Sequence, residues 1–208
     1  MANTYVYVDG FNLYYGCLKS TSYKWLNIGD FCRGLMDPSD QVQQIKYFTA
    51  RVSARQGDLG KPLRQEVYLR ALRTIPHLSV VLGQFRTHPV PMVRTGSNPP
   101  KWVVVDKTEE KGSDVNLASH LLMDGFRGRY ELAVIISTDS DLAEPVRMVR
   151  RELMLAVRVW NPHPTHSFQL SRHTIFNKRV RATDLAAAQF PPSVIDAKGN
   201  TLTKPTNW

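Results

Sequence analysis

The apolar run Leu132 to Ile136 stops abruptly at a cluster of hydroxyls and acids, Ser137-Thr138-Asp139-Ser140-Asp141. A helical pattern follows from Leu142 to Leu153. Such a run reads as a strand buried on both faces. In an open α/β sheet, ligands bind just beyond the carboxyl ends of these strands. Asp139 and Asp141 fall at that edge. Burying an unpaired carboxylate is costly, and crowding two is worse, unless a cation neutralises them.

Further acids can converge there. Thr4 to Val8 is β-branched and aromatic and ends at Asp9-Gly10-Phe11-Asn12. It reads as a central strand, a tight turn at Gly10 and a helix toward Leu18. Strand patterns also fall near 43–52, 79–85 and 155–160. Helical spacing runs from Leu59 to Ile75, after a break at Arg55-Gln56-Gly57-Asp58. A helix follows Ser113, read as its cap, with Asp114 in its first turn. Strands alternating with helices imply crossovers and a mostly parallel sheet, a three-layer α/β/α fold. The carboxyl ends then share one edge. Asp9, Asp139 and Asp141 lie on it, and Asp114 is delivered to it by a helix start. Turn chemistry alone also explains Asp9 and Asn12, and the helix dipole alone explains Asp114. Four acids meeting in one place, however, repel each other, and Mg²⁺ or Mn²⁺ relieves that repulsion.

The rest of the chain is less regular. Lys24 to Met36 feeds a short helix with Asp30 as a possible cap. Pro89, Pro91, Gly96, Pro99 and Pro100 mark a Pro-rich insertion near 88–101, read as a loop. Pro162, His163, Pro164 and His166 read as a loop rather than a metal site. Lys178, Arg179 and Arg181 form a basic knot. The expected organisation is a domain over 1–162, an extension packing on it over 163–190, and a tail over 191–208 with little core beyond Val194-Ile195.

Lys and Arg number 27 against 18 Asp and Glu, a net charge of +9. That excess favours a polyanionic partner. Two cysteines without a CxxC argue against a disulfide scaffold or a cysteine zinc site. No signal peptide or membrane span is evident, so a cytoplasmic protein without a membrane partner is expected. Lys111, Arg64, Arg70, Arg150 and Lys178 are candidate phosphate contacts, and Phe11, Tyr14 and Tyr15 could stack bases. A metal held by acids on a basic protein suits hydrolysis of a phosphodiester.

Three motifs carry a resemblance. Val8-Asp9-Gly10-Phe11-Asn12, Lys111-Gly112-Ser113-Asp114-Val115 and Ser137-Thr138-Asp139-Ser140-Asp141-Leu142 together resemble the NYN domain family, relatives of PIN-domain ribonucleases. Order and spacing agree over roughly Tyr5 to Trp160. The resemblance implies a PIN-like sheet with flanking helices, a Mg²⁺ or Mn²⁺ site and cleavage of RNA. It makes Asp9, Asp114, Asp139 and Asp141 the metal-site acids, with Asn12 beside them and Ser137 or Thr138 in support. Asp9 and Asp139 would touch the metal; Asp114 and Asp141 would act through water. Many relatives carry Ser-Gly-Asp where this chain has Ser137-Thr138-Asp139, so the local geometry is expected to differ. Small nucleases of this type often pair, which makes a homodimer possible. The alternatives are a non-cleaving RNA-binding or regulatory module and a small-molecule phosphatase; Phe11, where a haloacid-dehalogenase-type site needs Asp, counts against the phosphatase.

Overall fold

Val6 and Val8 face one side of the strand Ala2–Asp9 (β1) and Tyr7 faces the other, and all three are completely buried. Ala133 and Ile135 separate from Val134 and Ile136 in the same way on Leu132–Ile136 (β5). Strands buried on both faces need a layer of helices on each, and two cores are found, one per face. The computed structural model describes residues 2–54, 57–206 and 208; the break expected at Arg55-Gln56 lies outside them.

After β1 the chain forms α1 (Gly10–Leu13), which runs on as a wider turn over Tyr14–Leu18, then α2 (Ile28–Leu35) and β2 (Asp40–Ala50). Next come α3 (Lys61–Leu72), β3 (Leu78–Val93), β4 (Trp102–Lys111) and α4 (Ser113–Phe126). β5 leads through the tight turn Ser140–Leu142 into α5 (Ala143–Arg151) and β6 (Ala156–Asn161). The chain closes with α6 (Phe168–Ser171), β7 (Phe176–Arg179), α7 (Ala182–Ala186), β8 (Ser193–Ile195) and β9 (Thr201–Thr203). The main sheet has seven strands in the order β4-β3-β2-β1-β5-β6-β7, parallel except for the β3–β4 pair. It is the mostly parallel α/β sheet expected. The chain leaves β1 in one direction to build β2 and β3, then returns to build β5, β6 and β7 on the other side. The crevice between the ends of β1 and β5 is therefore the topological switch point, where such sheets bind ligands.

Several elements differ from their expected form. The Pro-rich stretch begins as a strand: Leu78–Gly83 pairs with β2, and Gln84–Val93 pairs with β4 as a two-stranded ribbon beyond the sheet. Pro89 and Pro91 are two residues apart, so both sit on the same edge of β3, and there a missing N–H costs no ladder bond. Only 94–101 is loop. The ribbon exposes Trp102 and Val104.

The extension supplies a seventh strand, β7, too short and too basic to show a pattern. The tail is pinned by core contacts: Leu202 is buried, and the Trp208 ring meets Tyr68 edge-on at 5.3 Å. Three-residue strands offer too few positions for any periodicity. Asn27, not Asp30, caps α2, accepting from the N–H groups of Gly29 and Asp30. α7 starts directly after Arg181, whose backbone N–H is accepted by the Asp184 side chain.

One polar cluster crosses the second core. The buried Asp124 carboxylate accepts from Tyr7 Oη at 2.9 Å and Arg129 Nη1 at 3.0 Å, and is ion-paired with Lys46. Among the described residues, no helix is long and apolar enough to cross a membrane.

Candidate active site at the carboxyl edge

Asp9 ends β1 and is 5% exposed. Its Oδ1 accepts the backbone N–H of Asn12 at 2.9 Å, which caps α1. Its Oδ2 accepts from Ser137 Oγ at 3.0 Å. Strand register explains the meeting: Val8 pairs with Ile136, so the next residues stand side by side. Ser137 Oγ also accepts the N–H of Asp139 at 3.0 Å, and Asp139 Oδ1 accepts the N–H of Asp141 at 2.9 Å. Gly10 lets α1 lie against β2: an added Cβ would meet Phe48 O and the Tyr47 ring at 2.7 Å. Close approach, rather than the tight turn expected, is what requires glycine here.

Thr138 stands where the resemblance led to the expectation of glycine. Its N–H and its Oγ1 both donate to Asn12 Oδ1 at 3.0 Å. The extra hydroxyl thus adds a second tie between the β5 turn and α1.

Asp114 arrives in the first turn of α4. The cap is Gly112 at φ 100°, a left-handed conformation that favours glycine, and not Ser113 as expected. Ser113 instead donates its N–H and Oγ to Glu110 Oε1. Burial and the negative charges of Asp9, Asp139, Glu110 and Asp141 push the Asp114 carboxyl up to about 6. Burial, with Asp139 adding to it, also raises Asp9 above the usual carboxylate range, although three hydrogen bonds pull it down. Asp114 thus senses the charges of Asp9, Asp139 and Asp141, and Asp9 senses that of Asp139. None of the four is ion-paired with Lys or Arg among the described residues. Glu110 is a fifth acid that sequence reasoning missed; its position three residues before Ser113 was the available signal.

The acids do not form a closed cage. Among the described residues, no three His, Cys, Asp or Glu side chains converge tightly enough to grip an ion directly. A donor set of carboxylate oxygens without an internal counter-charge suits a hard divalent cation that keeps most of its waters and takes one or two carboxylates.

The candidate phosphate contacts scatter. Arg70 is ion-paired with Asp196 and fastens the β8–β9 turn to α3. Arg150 donates to the carbonyl of Leu155 at 3.1 Å, at the amino end of β6 and so at the opposite edge. Arg64 grips both oxygens of Asp58. Each of these three side chains already has a partner within the chain. Lys111 lies at the end of β4, beside Asp114 in sequence, with Nζ 3.2 Å from Glu109. Lys178 lines a cavity of about 620 Å³ with Arg158, Arg179 and Arg181. Phe11 packs edge-on against Phe85, whereas Tyr15 is half exposed.

The NYN domain model matches residues 3–175, most of the chain and all three motifs. The chain belongs to the NYN domain family. That NYN match carries with it a PIN-like nuclease fold. Against 6-hydroxy-3-succinoylpyridine 3-monooxygenase HspA of Pseudomonas putida, this NYN chain is 31% identical over 99% of its length and 75% of the relative's. Its fold is shared by the crystal structure of a protein of unknown function from Vibrio parahaemolyticus, with a TM-score of 0.57 at 16% identity, covering 91% of this chain and 96% of that one.

Proposed function

We propose that this protein is a Mg²⁺- or Mn²⁺-dependent ribonuclease that hydrolyses phosphodiester bonds at the end of β1 and β5. The observation that carries this reading is the Asp9 carboxylate, without a Lys or Arg partner among the described residues and raised by burial, with its acidic neighbour Asp139 adding to it. A bound divalent cation supplies charge neutralisation, polarises a phosphoryl oxygen and lowers the pKa of water. Asp9 and Asp139 hold the cation. Ser137 orients both of them through one hydroxyl. Asn12, its Oδ1 occupied by Thr138, keeps its Nδ2 as a donor toward substrate or water. Asp114, in the first turn of α4 and beside the other acids, orients the attacking water and accepts its proton. The net charge of +9 draws the RNA to the site, with Lys111 and Lys178 as its contacts.

The test is cleavage of labelled single-stranded and structured RNA by purified protein, with Mn²⁺ or Mg²⁺ against EDTA. Metal-dependent cleavage that disappears in Asp9→Asn supports the proposal. Binding without cleavage, unchanged by Asp139→Asn, favours the non-cleaving module instead.

A second reading rests on the Pseudomonas relative, whose name describes a monooxygenase acting on 6-hydroxy-3-succinoylpyridine. Such a reaction places one atom of O₂ in the substrate, reduces the other to water and draws two electrons from a reductant. Oxygen uptake by this protein with that pyridine and a reduced nicotinamide, and no action on RNA, would establish it.

A further inference from the structure

Four polar residues stand in one row across the carboxyl edge of the sheet. Val8 pairs with Ile136, Ile136 with Trp160, and Asn161 with Arg179. Asp9, Ser137, Asn161 and Arg179 therefore share one level on four consecutive strands. With strands about 4.8 Å apart, Arg179 lies roughly 14 Å along the edge from Asp9.

The far half of the row borders a cavity of about 340 Å³, lined by Asn161, His163, His166, Ser171, Asn177 and Arg179. Its size is that of a small-ligand site. Asn161 is 5% exposed. Its Nδ2 donates to the carbonyl of Lys178 at 3.4 Å, which fixes which way the amide faces. Its Oδ1 has no hydrogen-bond partner among the described residues. A buried acceptor in that state is costly until a donor reaches it. Arg179, exposed and in no described ion pair, brings a guanidinium suited to bidentate contact with phosphate. His163 ties the cavity to the active-site side: it abuts Gly16, just beyond α1, where an added Cβ would meet its ring at 2.8 Å.

We infer that this cavity is a nucleotide subsite. It holds one nucleotide of the strand that is cut at Asp9. The phosphate meets Arg179 and the histidines, and the Asn161 amide, its Oδ1 closed off in the free protein, turns toward the cavity to accept an O–H or N–H of the ribose or base. A nucleotide combines an anion with such a donor, which is the pairing the cavity presents. The inference rests on the nucleic-acid reading above.

The experiment is fluorescence anisotropy of a short labelled RNA, and of DNA of the same sequence, in EDTA at fixed low salt. Arg179→Gln and Asn161→Leu each weaken RNA binding by about five-fold or more. Arg127→Gln removes the same charge from the opposite edge and leaves Kd within about two-fold. Loss confined to RNA assigns the donor to the ribose hydroxyl, and equal loss on DNA assigns it to the base. The subsite is overturned if Arg179→Gln binds like the wild type, or if Arg127→Gln weakens binding as much. Arg179 is exposed, so its variant decides even where Asn161→Leu fails to fold. Because EDTA removes the metal, lost cleavage with this binding intact bears on the ribonuclease reading alone.

Discussion

Ser137 and Asp9, on neighbouring strands and 128 positions apart in the chain, meet at 3.0 Å, with Ser137 Oγ donating to Asp9 Oδ2. The same oxygen accepts the N–H of Asp139. One hydroxyl therefore holds both acids at the end of β5. Ser137→Ala leaves a buried carboxylate oxygen and a backbone N–H without their partner, at a cost of about 1–2 kcal/mol. Thermal unfolding of the variant should begin several degrees lower, and single-turnover cleavage of RNA should slow by on the order of ten-fold, because Asp9 loses its orientation.

The pH response follows from Asp114. Its folded carboxyl is raised to about 6 from an ordinary value of 3.8, so the folded protein binds the proton more tightly than the unfolded chain. Its contribution to stability is fully present below the ordinary value and is lost as pH rises through about 6. In chelator, Asp114→Asn should therefore gain melting temperature relative to the wild type as pH rises from 4 to 7. Adding Mg²⁺ at pH 7 should narrow that gap, since a cation offsets the repulsion. A gap independent of pH would remove the coupling among the acids.

Gly10→Ala places a methyl group against Phe48 O and the Tyr47 ring, both at 2.7 Å and both on the buried strand β2. Neither can withdraw without moving the sheet. The expected cost is about 1–3 kcal/mol, and the displaced α1 should also lower activity. Chemical denaturation with an unchanged slope and a lower midpoint would show it.

Lys46→Met leaves Asp124 buried with only the half-exposed Arg129 as counter-charge. Removing one partner of a buried pair should cost about 3 kcal/mol. The loss should appear in denaturant titration without a change in metal dependence, because the pair belongs to the second core and not to the carboxyl edge.

Long apolar runs made most of this legible in advance. Leu132 to Ile136 and Thr4 to Val8 read as central strands, which puts the acids that end them on one edge. Short or polar elements were opaque. β7 reads as a basic knot, and β8 and β9 are three residues each. The proline ribbon misled because Pro89 and Pro91 happen to face the free edge of their strand. Among the candidate cations, charge alone could not tell Arg70, committed to Asp196, from Lys178, which lines a cavity. Pairing depends on residues more than a hundred positions away, and no local pattern carries it.

The central claim is that a divalent cation sits among the acids at the ends of β1 and β5. An anomalous difference map from crystals soaked in Mn²⁺ tests it directly. The expected result is a peak within coordination distance of the Asp9 carboxylate, lost in Asp9→Asn. A clean map at that edge, or Asp9 found neutralised by a lysine or arginine, would contradict it.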